Sequence, residues 1–124
     1  LAGLPPSARL RRAADFAALR QATGRASATH FSLRWNPAAT RECRLGMAVS
    51  RKVSKRAVER NRIKRLVRES FRAQRTQLPS LDVLVIARTS AANTDSPTLR
   101  ADLDRVWQRL RSLKPTAAPG TIGG

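Results

Sequence analysis

The chain is poor in the residues that do chemistry on their own. Its 124 residues include one cysteine, Cys43, one histidine, His30, no tyrosine, and eight acids: Asp15, Glu42, Glu59, Glu69, Asp82, Asp95, Asp102 and Asp104. A lone cysteine excludes an internal disulfide and a thiolate metal cluster, and it fits a reducing, cytoplasmic compartment. A lone histidine, with no acid close to it in sequence, leaves no His-based catalytic pair. Only Asp102 and Asp104 are near neighbours, and two residues apart on a helix they point to different faces. A metal-dependent nuclease needs carboxylates gathered around Mg²⁺, and the sequence shows no such cluster. Walker, Rossmann and zinc-finger spacings are absent. No run approaches the ~20 apolar residues of a membrane span. The N-terminal LAGLPPSARLRRAAD lacks the apolar core of a secretory signal. The opening at Leu1 instead of Met is what a trimmed or partial chain shows. The chain reads as a binder.

Positive charge is what the chain has in excess. Twenty-five Lys and Arg give a formal charge of +17, which favours any partner that neutralises it. Eleven of these bases lie between Arg51 and Arg75, in RKVSKRAVERNRIKRLVRESFRAQR, against two acids, Glu59 and Glu69. Nucleic acid is the default partner. A membrane surface competes, but a surface-binding helix wants Trp, Phe and Leu on its apolar face. This stretch offers Ile, Leu and Val, with Phe71 its only aromatic. The length suits one domain with one core, over residues 1–114. The tail 115–124, PTAAPGTIGG, has no period and is expected to be disordered.

Periodicity predicts a short helix over residues 11–20 and an alternating strand over 30–36, with Phe31, Leu33 and Trp35 on one side. A second alternation, Cys43 to Ser50, reads as the antiparallel neighbour of the first. Each strand then has a bulky apolar face and a face of Arg, Ser, Gly and Ala. The second face is either plainly solvated or roomy enough for an extended chain. The basic stretch is predicted helical over 56–74, with Ile63, Leu66, Val67, Ser70 and Phe71 buried and Asn61, Arg65, Arg68 and Arg72 opposite. Leu78-Pro79 stops it. DVLVIA, residues 82–87, reads as a strand buried on both faces. Ser96 is expected as N-cap before Pro97, and Leu99, Leu103, Val106, Trp107, Leu110 and Leu113 mark a last helix on the core. Helices against one face of a small sheet make an α+β, two-layer architecture.

The segment AVERNRIKRLVR, residues 57–68, followed by Glu69-Ser70-Phe71, resembles the RNR signature of the bacterial ribonuclease P protein subunit. The likeness extends to LRRAADF, RLGMAVSRK and LDVLVIAR in the same order, and covers about residues 9–113. It implies a fold of order αβ(β)βαβα with a small mixed sheet. It also implies a left-handed crossover through the basic helix between two parallel strands, against the usual right-handed preference. By resemblance the catalyst is a large RNA that binds Mg²⁺ and hydrolyses one phosphodiester of precursor tRNA, freeing the 5′ leader. The protein assists it, as a subunit of that endoribonuclease with no catalytic residues and no metal of its own. Its implied partners are the RNA subunit and precursor tRNA, with no membrane and no small-molecule substrate.

Carried over residue by residue, Arg60, Asn61 and Arg62 match the triplet, and Lys64, Arg65, Arg68 and Arg72 extend it; the resemblance makes these contacts to the catalytic RNA. Ser50, Arg51, Lys52 and Lys55 leave the second strand, and Arg88 ends the last one. With Phe16, Arg20, Ser32 and Arg34 they are the implied leader-binding cleft. Two positions depart from the family pattern: Arg20 and Arg34 stand where aromatics can occur, trading stacking for charge. Other readings stay open. Arg60 projects toward the buried stripe and could brace the helix, and Phe16 suits core packing as well as a cleft. A ribosomal or general basic RNA-binding protein would share this composition. Cleavage by the protein alone would require carboxylates that the sequence does not cluster.

Overall fold

A computed structural model describes residues 6–10, 12–38 and 41–113. In chain order the elements are α1 (Ala13–Ala18), β1 (Gly24–Ser27), β2 (Phe31–Pro37), β3 (Arg44–Ala48), α2 (Ala57–Gln74), β4 (Leu81–Ala87) and α3 (Ser96–Arg111). Short 3₁₀ turns at Leu19–Gln21, Arg75–Gln77 and Thr89–Asn93 extend or join them. The four strands are ordered β1-β2-β4-β3, so the sheet is mixed: β4 pairs antiparallel with β2 and parallel with β3. The expected α+β class holds. The tail 115–124 lies outside the described residues.

The expectation that β2 and β3 are neighbours is corrected. β4, the most apolar strand, takes the position between them, with Val83, Leu84 and Val85 all buried. A strand apolar on both faces gains most from an interior place. The four-residue strand β1 is not marked by periodicity, although the order αβ(β)βαβα implied by the resemblance leaves room for a third strand before the basic helix. Gly-Arg-Ala-Ser has no bulky residue to mark an alternation, yet Ala26 and Ser27 pair with Leu33 and Ser32 across a tight hairpin. Gly24 is required there, because the Trp35 indole lies where its Cβ would be, 2.0 Å from the ring.

On one face Phe31, Leu33, Trp35, Leu45, Val83 and Val85 meet Ile63, Leu66, Val67 and Phe71 of α2 and Leu99, Leu103, Val106, Trp107 and Leu110 of α3. Fully burying one such side chain contributes about 1.5–3 kcal/mol. Ser70, expected in the α2 stripe, is half-buried and accepts from Trp107 Nε1 at 2.6 Å. The rings of Phe71 and Trp107 stand 5.6 Å apart at 59°.

Helix α1 departs from the expectation of helices on one face. Leu10, Leu19 and Leu84 form a second apolar cluster with Phe16, Ala48 and Ile86. Leu84 and Ile86 alternate with Val83 and Val85, so this cluster belongs to the opposite face. The helix is also shorter than predicted, six residues followed by the 3₁₀ turn.

The start of α3 is corrected as well. Asp95, one residue earlier than predicted, is the N-cap, its carboxylate accepting from Thr98 N at 3.0 Å. Hydrogen bonding from the Thr98 side chain, and then from its backbone N–H, holds the Asp95 carboxyl below its ordinary value. Ser96 is thereby freed for a different contact, to Arg62.

Candidate nucleic-acid interface

Strand register assembles the small-residue face in rows. Ser27, Ser32, Ile86 and Ala48 stand side by side, and Arg25, Arg34, Leu84 and Gly46 form the next row. The third row holds Asn36, Asp82 and Arg44, where Arg44 grips Asp82 through two 2.8 Å bonds. Asp15 of α1 lies 3.6 Å from Arg44, and Asn36 donates to Ala18 O at 3.1 Å. These polar contacts seat α1 over the third row, and Phe16 then reaches the second. In the first row Ser32 and Ile86 are half-buried, with Ile86 and Ala48 packed against the Leu10, Leu19 and Leu84 cluster.

Phe16 settles over Gly46. Its ring joins Arg9, Leu10, Leu45, Met47, Lys64 and Arg68 in lining a groove of about 260 Å³. This groove wraps the outer edge of β3, which the N-terminal segment covers only in part, through Leu10 N to Leu45 O at 2.9 Å. A half-buried aromatic sharing a groove with Arg9, Lys64 and Arg68 is an arrangement on which an unstacked base can stack while its phosphates are paired. The resemblance assigned Phe16 and Lys64/Arg68 to separate surfaces. The fold brings them together, because the α2 turn that carries Lys64 and Arg68 rises beside the same strand edge.

Along α2, Asn61, Arg65 and Arg72 are exposed and Arg68 is half-buried. Asn61, Lys64, Arg65 and Arg68 have no side-chain partner among the described residues. They are donors facing outward. Val58, 67% exposed, heads this stripe one turn before Asn61.

The other two residues of the triplet are engaged within the chain. Arg60 Nη1 donates to Ser54 O and Lys55 O, both at 3.0 Å, which fastens the entry loop to the helix. Arg62 donates to Glu59 Oε2 at 2.7 Å, to Ser96 Oγ at 2.9 Å and to Thr94 O at 3.1 Å. The Arg62 guanidinium holds the Glu59 carboxyl below its ordinary value. The periodic pattern of α2 carried no sign of these ties, since their acceptors come from loops.

Between β3 and α2, Ser50 Oγ accepts from Lys52 N at 3.2 Å and Ser54 Oγ from Arg56 N at 3.1 Å, two local turns of the type these hydroxyls favour. Val53 anchors the loop by burial, and Ser50, Arg51, Lys52 and Lys55 remain exposed. Arg88 and Arg20 are exposed too; Arg20 offers its carbonyl to Arg25 at 3.1 Å, and Arg88 reaches Ala28 O at 3.5 Å.

Acid-base groups do not converge here. His30 Nδ1 lies 2.8 Å from Ser90 Oγ, away from the α1 face. The buried Cys43 thiol is pushed up to about 12 by desolvation, which keeps it neutral. Among the described residues no group of three or more His, Cys, Asp or Glu is placed to hold a metal ion. No helix among them is long and apolar enough to cross a membrane.

The sequence model of the family described as Ribonuclease P matches residues 4–111. The chain belongs to the ribonuclease P protein family. It is 42% identical over 118 residues to the ribonuclease P protein component of Xanthomonas campestris, covering 95% of this chain and 79% of that one. The fold is similar to the RNase P protein of Staphylococcus aureus, with a TM-score of 0.77 and 28% identity over 82% of this chain and 94% of that one. It is also similar to that of Thermotoga maritima, with a TM-score of 0.73 and 30% identity over 82% and 96%. Membership of this family implies participation in a ribonuclease complex devoted to tRNA processing.

Proposed function

We infer that this chain is the protein partner of a catalytic RNA, and that it binds both that RNA and the 5′ leader of precursor tRNA to promote 5′-end maturation in the cytoplasm. The observation that carries this reading is the meeting of Phe16 with Lys64 and Arg68 in one groove, beside the outward donors Asn61 and Arg65. The groove suits a single-stranded leader: the ring stacks, the cations pair with phosphate, and the half-buried Ser32 and Arg34 continue the path over the sheet. The α2 stripe suits the backbone of the larger RNA. Mg²⁺ is assigned to the RNA, as the resemblance to the family implies. The protein's contribution is charge and shape.

The test is reconstitution with a ribonuclease P RNA at low Mg²⁺. Precursor tRNA is cleaved by the assembled particle and by neither component alone, and the particle binds leader-bearing precursor more tightly than mature tRNA. With about five phosphates neutralised, log K for the RNA falls against log salt with a slope of roughly −3.5 to −4.5. Cleavage by the protein alone would place the chemistry in this chain. Indifference to the leader would favour a general basic RNA-binding protein.

A further inference from the structure

A second concave surface lies at the other edge of the sheet. It is bounded by β1 and its hairpin turn on one side and by the outer face of α3 on the other, and it encloses about 470 Å³. Ser27, Thr29, Arg105, Gln108, Arg109 and Ser112 supply its polar lining, and Ala26 and Ala28 keep it open. The Phe16 groove wraps β3, and this one follows β1. Three strand spacings, about 14 Å, separate the two edges.

The lining is rich in donors, and its one acid is already satisfied. Asp102, 1% exposed, accepts from Thr29 N at 3.2 Å, His30 N at 2.8 Å and Arg105 Nη1 at 3.1 Å. The neighbouring Asp104 lines the α2 side of α3 with Glu69, so its charge is directed away. Arg105 keeps 66% of its side chain exposed despite the pair. The Arg109 guanidinium is exposed and has no partner among the described residues. Arg105 and Arg109 stand one helical turn apart, about 6 Å, a separation that neighbouring phosphates of one strand can bridge.

We propose that the groove between β1 and α3 is a second RNA-binding site, taking a sugar-phosphate segment of the RNA subunit on Arg105 and Arg109. The proposal rests on the RNA-partner reading above. The RNA subunit is the occupant, because Leu33 and Val106 in the lining place this groove on the α3 face of the sheet, whereas the leader path over Ser32 and Arg34 runs on the opposite, α1 face. Charge complementarity favours RNA over a peptide strand, since the lining offers guanidinium, amide and hydroxyl donors and its only carboxylate is enclosed.

The experiment uses the full chain with a ribonuclease P RNA and compares Arg109→Gln, Arg100→Gln and Arg68→Gln. Arg109→Gln removes one charge without touching an internal bond. Its Kd for the RNA at 0.1 M salt rises about five- to eightfold, and the slope of log K against log salt becomes shallower by about 0.7–0.9. Arg100→Gln removes an exposed charge from the α2 side of α3 and leaves Kd within twofold. An unchanged Kd and slope for Arg109→Gln, with Arg68→Gln weakened, would overturn the groove alone. Equal losses for Arg109→Gln and Arg100→Gln would reduce it to diffuse charge, which also overturns it. If neither Arg68→Gln nor Arg109→Gln changes binding, the RNA-partner reading falls with it.

Discussion

The ring of Phe16 lies so close over Gly46 that a Cβ at position 46 would stand 2.7 Å from its Cε1 atom and 3.2 Å from Leu10 Cδ1. This contact ties the first helix to the edge strand and sets the depth of the groove. Gly46→Val is therefore expected to push the ring out of place, at an overpacking cost of about 1–3 kcal/mol. Leader-bearing precursor should lose affinity for the assembled particle while mature tRNA does not. Phe16→Ala should show the same selective loss without the strain. Urea denaturation and paired binding titrations separate the two effects. An unchanged preference for the leader in both variants would remove Phe16 from the cleft.

Asp102 is a second point where one side chain holds a large piece of structure. Its enclosed carboxylate terminates the β1–β2 hairpin from α3 through Thr29 N and His30 N. Asp102→Ala leaves those two donors and part of Arg105 unpaired. The expected loss is about 2–4 kcal/mol. Asp102→Asn should recover only part of it, because the amide nitrogen cannot accept. The denaturant midpoint measures both, and a midpoint unmoved by Asp102→Ala would show that the hairpin does not depend on this latch.

Acid should weaken the fold through Glu59 and Asp95. Each carboxyl is held below its ordinary value, Glu59 chiefly by its hydrogen bond from Arg62 and Asp95 by those from Thr98. A lowered folded value gives stability that is complete above the unfolded value and is lost as pH falls through the folded one. The melting temperature is expected to be level above the ordinary Glu value of 4.5 and to decline below it. Glu59→Gln should lower the level part and make the decline shallower. Parallel melting curves for wild type and Glu59→Gln across that range would contradict this.

Much of this was legible beforehand because it depends on period. The α2 stripe of Ile63, Leu66, Val67 and Phe71, the α3 stripe from Leu99 to Leu110, and the doubly apolar β4 all repeat at the spacing of their element. What stayed hidden depends on pairing across distance. Nothing in Gly-Arg-Ala-Ser marks β1, whose strand character comes from its register with β2. The insertion of β4 between β2 and β3 follows from its burial on two faces, which local alternation in the other strands does not report. The site divides the same way. Outward placement of Asn61, Arg65 and Arg72 followed from the helical wheel, whereas the meeting of Phe16 with Lys64 and Arg68 needed the position of α1 on the far face. Asp102 read as one of two neighbouring acids, with no sign that a hairpin 72 residues away would use it.

Arg62 and Arg65 provide the sharpest separation of arginines bonded within the chain from arginines directed outward. They sit one turn apart on α2, and the family signature alone treats them as one basic surface. Arg62 spends its donors on Glu59, Thr94 and Ser96, which binds the start of α3 to α2 with its side chain 30% exposed. Arg65 points outward with no partner among the described residues. Arg62→Ala should therefore lower unfolding free energy by about 1–3 kcal/mol, and Arg62→Lys should rescue little, since an ammonium cannot span three acceptors in the fork geometry of a guanidinium. Arg65→Ala should leave the denaturant midpoint unmoved and weaken RNA binding, with a salt slope shallower by about 0.7–0.9. Arg62→Ala is expected to keep the wild-type salt slope in conditions where it remains folded. A shallower slope for Arg62→Ala, with no change in stability, would place its guanidinium on the RNA and make the ties to Thr94 and Ser96 incidental.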